Sequence, residues 1–265
     1  MHKFAGWAFS IGMVLFLVAP LVAILPLAFT SSTLLVYPLP SFSLRWFHEI
    51  FTADLWRRSI MNSLFIAAGT TVMATFLALL AALGLRRRRG FLVGSMNMLF
   101  VLPMVIPTVV LGVGMQLLFV RMGIINSYIG VMIAHTVVAI PFAFVSISGA
   151  LRGVDGAIER AASSLGASPF ATLRFVTVPL ILPGLLSAAV LSFAASVDEV
   201  VLTLFVAGPS QRTLARQMFS SLKENLSPAI ASAAFLYVVG TLVVAIIALT
   251  IRRYLSGSKP AVVQP

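Results

Sequence analysis

The chain has 265 residues, 60% of them hydrophobic and 9% charged, with a positive mean hydropathy and a formal net charge of +11. Soluble domains are about a quarter charged, so this composition excludes a soluble fold and demands a polytopic membrane protein. The basic residues flank apolar runs instead of forming one interleaved face, which argues against a nucleic-acid partner, and the absence of cysteine excludes disulfide and thiol chemistry.

A membrane-spanning helix needs about 20 apolar residues. The first such run, 4–29, follows the short basic start Met1-His2-Lys3. Its length and the lack of a small-residue cleavage site favour a retained helix over a signal peptide. Residues 30–58 form a polar and aromatic loop in which Trp46, Phe47 and Trp56 suit a membrane–water interface. The second span, 60–85, opens on Asn62, a cap or interhelical hydrogen-bonding residue, and is stopped by four arginines at 86–89. The third, 91–119, carries Pro103 and Pro107 one turn apart and then Gly112 and Gly114. Each proline removes an internal hydrogen bond and kinks its helix, and in a membrane the freed carbonyls must find neighbours or line a wet cavity. The fourth span, 125–147, contains Pro141 and His135. The fifth is 180–205 and the sixth 229–251, separated by a polar loop at 206–228, with Arg252 and Arg253 closing the last span. Phe235 and Tyr237 in the last span read as packing residues.

Six spans put both termini on one side. The N-terminus, the block at 86–89, the 152–174 region and the C-terminus carry eleven Lys and Arg together; the opposite loops carry seven. Positive residues favour the cytoplasmic side, so both termini are expected there.

Between the fourth and fifth spans lies the polar stretch 155–183. Asp155 is placed to cap a short helix whose apolar side is Ile158, Ala161, Ala162 and Leu165. Gly166 ends it. Ser168 then caps a second helix with Pro169 at its first position, running on into the fifth span. On residues alone this is equally a surface-lying amphipathic helix or a docking element.

Asp198 and Glu199 fall within the apolar run LSFAASVDEVVLTLF. A carboxylate inside a span costs about 2.5–3.5 kcal/mol even on the mild insertion scale, so it implies a partner or a wet cavity. The bland alternative puts both acids at a helix end, pairing with Arg212 or Arg216. Gln116 is a further candidate for a polar path, while His135 reads as an interhelical hydrogen-bonding residue. The sequence shows no Gly-x4-Gly-Lys-Ser/Thr loop, HExxH or GxSxG, and its three histidines are scattered. No catalytic residue, metal or cofactor is therefore expected.

The 155–183 stretch resembles the EAA signature of ABC-importer permeases: Ala161, Ala162 and Gly166 match, and Val176 and Val178-Pro179 match conservatively. Arg160 stands where the family has glutamate. The nearest acid, Glu159, is one residue early and so turned by about 100° around a helix. The Asn62-Ser63-Leu64 start also fits the family. The 196–210 region, Ser-Val-Asp-Glu-Val-Val followed by Phe-Val-Ala-Gly-Pro-Ser, is similar to the spermidine/putrescine importer permeases, as is Ser227-Pro228-Ala229. The likeness covers roughly 56–251.

The resemblance implies an all-α type I ABC-importer permease: a transmembrane helix bundle at 56–252 with a cytoplasmic coupling helix near 155–170. A first helix and loop at 1–55 precede it, and a tail at 253–265 follows. It implies coupling to a partner ATPase through Glu159, Arg160, Ala161, Ala162 and Gly166, with Glu159's own contact left open. It further implies an ATP-binding subunit dimer, a second homologous permease, an extracytoplasmic solute-binding protein and a bacterial inner-membrane location. Asp198, Glu199 and Gln116 become the expected path for a small cationic solute, with putrescine or spermidine foremost. Aminoalkylphosphonate, iron(III) or another amine remain alternative cargoes, and a non-transport membrane scaffold is the rival class.

Overall fold

The computed structural model describes residues 2–86, 90–224 and 226–257. Three of the four stop arginines, at 87–89, and the tail from 258 onward lie outside the described residues. The helices in order are α1 (His2–Ile24), α2 (Arg45–Thr52), α3 (Asp54–Arg86), α4 (Phe91–Val101), α5 (Thr108–Met122), α6 (Tyr128–Arg152), α7 (Gly156–Ser164), α8 (Pro169–Thr172), α9 (Val178–Val197), α10 (Val201–Val206), α11 (Leu214–Glu224) and α12 (Ala229–Gly257). Five are long and apolar enough to cross a membrane, and a bent pair makes a sixth candidate span. A bilayer enforces this uniformity, because an unpaired backbone amide or carbonyl costs several kcal/mol in hydrocarbon and a helix pairs its own.

The chain divides into two units. The first comprises 1–59 and 217–242. Its N-terminal span is largely unburied, with Trp7, Phe9 and Phe16 exposed, as suits a lipid-facing or partner-facing helix. Its centre is aromatic: Phe29 packs against Phe42, Phe47 and Phe235 at centroid distances of 5.0–5.1 Å. The Trp46 indole N–H donates to the Ser32 carbonyl at 3.1 Å, and the Ser232 hydroxyl to the Ala28 carbonyl at 2.8 Å. Trp46 and Trp56 are buried within the protein. Trp46's one polar atom is satisfied by loop backbone, which lets the ring pack inward.

The second unit comprises 60–216 and 243–265. Within it α3 and α6 run in the same direction and α9 runs opposite. One core layer joins Ile66, Val131, Met132, Leu202 and Val206; the other joins Ala78, Ala82, Phe144, Ile147, Leu151, Ile181 and Ala188. Small residues permit the close approaches, as in membrane bundles generally. Gly184 of α9 lies against Ala150 of α6, Gly69 of α3 against Met132, and Gly112 of α5 against the Phe205 ring of α10.

The third span breaks where the sequence placed its two prolines, and the fifth has other bounds than expected. The bend between α4 and α5 is 98°. Pro103 sits in a 3-10 turn, and Pro107 caps α5 with an extended ψ of 127°. Leu102, before Pro103, stays helical at φ −51° and ψ −39°, and the chain leaves the helical region only at the second proline, Pro107. The fifth span starts earlier than expected, at Pro169, and ends at Val197, where the chain breaks before α10.

The two glycines of α5 are not equivalent. A Cβ at Gly112 would collide with Phe205, whereas nothing lies within 4 Å of one at Gly114. Gly112→Leu is expected to cut the folded, monodisperse yield on size-exclusion chromatography, and Gly114→Leu to leave it near wild type. Equal yields would contradict the α5–α10 packing.

Candidate functional site

The polar residues gather at the two ends of the second unit. Because α6 has 25 residues, those ends are about 37 Å apart.

At the end where α6 finishes, α7 is built as its local sequence requires. The Asp155 carboxylate accepts from the Ala157 N–H at 2.8 Å. Gly166 takes a left-handed φ of 87°, open to glycine at no steric cost. The Gly166 N–H bonds to the Ser163 carbonyl and the Ala167 N–H to the Ala162 carbonyl, the paired bonds of a Schellman stop. Ser168 accepts from the Ala171 N–H at 3.2 Å, with Pro169 at the start of α8. A single turn of π-helix, Leu173–Thr177, then leads into α9, where Pro179 offers no N–H.

The outward face of this element is apolar and open. Leu165 is 89% exposed, and Phe170, Phe175 and Ile158 are also exposed. Arg160, Ala161 and Gly166 are exposed and Ala162 is half-buried. Glu159 is placed differently: it is buried. Its Oε1 lies 2.6 Å from Arg86 Nη1 and accepts from the Thr177 hydroxyl at 2.7 Å. The one-residue displacement read in the sequence thus turns Glu159 inward.

At the opposite end α9 stops at Val197 and α10 begins at Val201, separated by Asp198, Glu199 and Val200. The acid pair therefore sits in a helix break rather than within a continuous span. Asp198 is exposed and Glu199 half-buried. Glu199 Oε1 accepts from the Leu202 N–H at 2.8 Å, capping α10 with its own side chain. The fully buried His135 braces both sides of the break, with Nδ1 2.9 Å from the Ser196 hydroxyl and Nε2 3.0 Å from the Thr203 hydroxyl. The Thr203 hydroxyl also reaches the Glu199 carbonyl at 3.0 Å. The ring nitrogens thus bond one hydroxyl before the break and one after it, the tautomer setting which of them donates.

The far end of α10 is held as thoroughly. Arg216 Nη1 donates to the carbonyls of Ala207 at 2.7 Å and Thr203 at 3.2 Å. Burial, and after it the Arg212 charge, lower the Arg216 pKa from its ordinary value, though a guanidinium stays charged. Asn62 donates to the carbonyls of Ser210 and Arg212, each at 2.9 Å, and accepts from the Tyr128 hydroxyl at 2.9 Å. Ser63 accepts from the Leu214 N–H at 2.8 Å. The Asn62-Ser63 pair thus holds the loop after α10. Tyr128, Thr203 and Arg216 were not singled out from the sequence as holders of this corner; the small polar residues opening α6 were their faint trace. Gln116 is exposed on α5. Among the described residues, no group of three His, Cys, Asp or Glu is placed to hold a metal ion.

The chain has known relatives and structural counterparts. The family described as "Binding-protein-dependent transport system inner membrane component" matches residues 74–258. The chain belongs to this family. It is 34% identical over 223 residues to the putrescine transport system permease protein PotI of Escherichia coli K12, covering 81% of this chain and 79% of PotI. It is 32% identical over 216 residues to the E. coli K12 spermidine/putrescine transport system permease protein PotC, covering 80% of each. It is 35% identical over 213 residues to the molybdenum transport system permease protein ModB of Mycobacterium bovis, covering 75% of this chain and 81% of ModB. A chain from the crystal structure of a bacterial ABC transporter involved in the import of alginate shares the fold, with a TM-score of 0.72 at 14% identity over 96% of both chains. The chain is thus a multi-pass inner-membrane permease subunit of an ABC importer with an all-α fold.

In this permease His135 holds the break together. His135→Phe fills much of the same space but leaves the Ser196 and Thr203 hydroxyls without a ring partner, a loss of about 1–3 kcal/mol per buried group. The thermal unfolding midpoint of the purified permease should fall by several degrees. An unchanged midpoint would contradict the bracing role.

Proposed function

We propose that this permease forms the membrane path of an ATP-driven importer for a small cationic solute, with putrescine or spermidine as cargo. In this reading α7 is the cytoplasmic coupling helix, both termini are cytoplasmic, and a second, homologous permease completes the path. ATP hydrolysis belongs to a partner ATPase dimer that docks on the exposed Leu165, Phe170 and Phe175 surface. A solute-binding protein delivers cargo to the opposite end. ATP binding closes the ATPases, the coupling helices follow, and the bundle turns outward; hydrolysis resets it.

The observation that carries the cargo reading is the acid pair. Asp198 is exposed and Glu199 half-buried at the end far from α7, in a break where the Glu199 carboxylate also accepts from the Leu202 N–H. Two adjacent carboxylates create a negative potential that concentrates a cation at the mouth of the path. The likeness to PotI and PotC points the same way. Gln116 is proposed as a polar contact further along α5.

A second reading is import of a small oxyanion. It is favoured by the likeness to ModB and by Arg212 and Arg216 lying just beyond α10.

Uptake into vesicles carrying the assembled transporter separates the two. Glu199→Gln keeps an oxygen for the Leu202 N–H while removing charge, and Asp198→Asn does likewise for Asp198. Radiolabelled putrescine and spermidine should enter with wild type, and either variant should lower uptake about tenfold at unchanged basal ATPase, the factor for one lost charged contact of about 1.4 kcal/mol. Molybdate uptake with no polyamine uptake by wild type would overturn the cationic assignment and leave the importer assignment standing.

A further inference from the structure

We infer that the Arg86–Glu159–Thr177 cluster is the joint through which displacement of α7 is passed to the spans, so that Glu159 acts as a positioning residue and not as a contact for the ATPase. This rests on the reading of α7 as the coupling helix.

The inference starts from an inverted amphipathic pattern. A short helix lying on a bundle is ordinarily held by its apolar side. In α7 the apolar Ile158 is 47% exposed and the residue buried is the acid, Glu159, at 5%. The hold of α7 on the rest of the unit is therefore polar and local. One carboxylate oxygen gathers three elements. Arg86 is the last residue of α3, and its Nη1 reaches Glu159 Oε1 at 2.6 Å. Thr177 ends the π-turn that leads into α9, and its hydroxyl reaches the same oxygen at 2.7 Å. Arg86 Nη2 also donates to the Val154 carbonyl at 3.2 Å, tying in the segment between α6 and α7.

Burial makes this joint stiff. The Arg86 and Glu159 side chains are 16% and 6% exposed, so water and salt screen the pair little. Charged hydrogen bonds are directional as well as strong, which an apolar contact is not. Pulling α7 away would leave an uncompensated buried charge on both sides, so α3 and the start of α9 follow α7 instead of letting it slide. The outward face, from Arg160 to Leu165, stays free to meet a partner while the inward residue carries the load.

The test uses the complete transporter: permease pair, ATPase and solute-binding protein. Because this permease has no cysteine, nitroxide labels go on Ser164→Cys of α7 and Gly84→Cys of α3 within it, with any cysteines of the other subunits replaced. In the parent, α7 moves with α3, and the label distance distribution is narrow with and without ATP. In Glu159→Gln and Arg86→Met the ATPase still copurifies and basal hydrolysis persists. Stimulation by the loaded binding protein drops about tenfold, as for loss of one charged hydrogen bond, and the distribution broadens. Thr177→Val shows the same change in smaller measure, and Thr177→Ser, which keeps the hydroxyl, restores the parent behaviour. If a charge variant fails to insert, the threonine pair decides. Full stimulation and a narrow distribution in Thr177→Val and in the charge variants that insert would overturn the joint. Leu165→Asp tests the underlying reading separately. It should release the ATPase, and an ATPase that stays bound and stimulated by that variant would remove the coupling assignment itself, whatever the joint variants do.

Discussion

A helix that breaks within a membrane bundle must find partners for the amides and carbonyls it buries. The rest of the second unit depends on how the break after Val197 meets that demand. Glu199 takes the Leu202 amide with its carboxylate, and Thr203 takes the Glu199 carbonyl with its hydroxyl. His135 ties Ser196 before the break to Thr203 after it. Arg216 takes the carbonyls released at the far end of α10. With its backbone satisfied, α10 buries Leu202 and Val206 and presents Phe205 to Gly112 of α5. The same break that ends α9 therefore seats the second half of the bent third span, and it delivers two carboxylates at a defined place without exposing bare backbone.

The other end answers a different demand. There, in the proposed coupling role, a nine-residue helix would present a surface to a partner ATPase while staying attached to the spans. Capping fixes its length: Asp155 starts it, and Gly166 with the bonds to Ala162 and Ser163 stops it. One buried carboxylate fixes its attachment. The length of α6 keeps the two ends about 37 Å apart. Anything that relates them must therefore pass along packed helices, chiefly α6 against α9, where Gly184 and Ala150 allow close approach.

How much of this was legible follows from how local each signal is. The caps at Asp155 and Ser168, the proline at the start of α8 and the glycine stop are decided by neighbours within four residues, and each stands where the sequence put it. Five spans follow from apolar length alone, though the start of the fifth was set eleven residues late, because the π-turn lets α8 run on into α9. Pro103 and Pro107 announced a distortion, but its 98° depends on what α5 packs against, and that is set by α10. The sequence left the acid pair either within a span or at a helix end, since its apolar run continues to Phe205 and the break's partner His135 lies on α6, more than sixty residues away. The inward turn of Glu159 was foreshadowed by its one-residue displacement. Its partner Arg86, 73 residues earlier, read only as part of a stop signal.

The division of labour between the two ends requires that they face opposite sides of the membrane. Arg121 is exposed at the end of α5 beside the acidic break, and Arg152 is exposed at the end of α6 beside α7. The most direct measurement is the labelling of Arg121→Cys and Arg152→Cys, each alone in the cysteine-free chain, by a membrane-impermeant thiol reagent in right-side-out and inverted membrane vesicles. Arg121→Cys should label in right-side-out vesicles and Arg152→Cys in inverted ones. Labelling of both from the same side, or the reverse assignment, would contradict a permease that receives solute at one end and the push of an ATPase at the other.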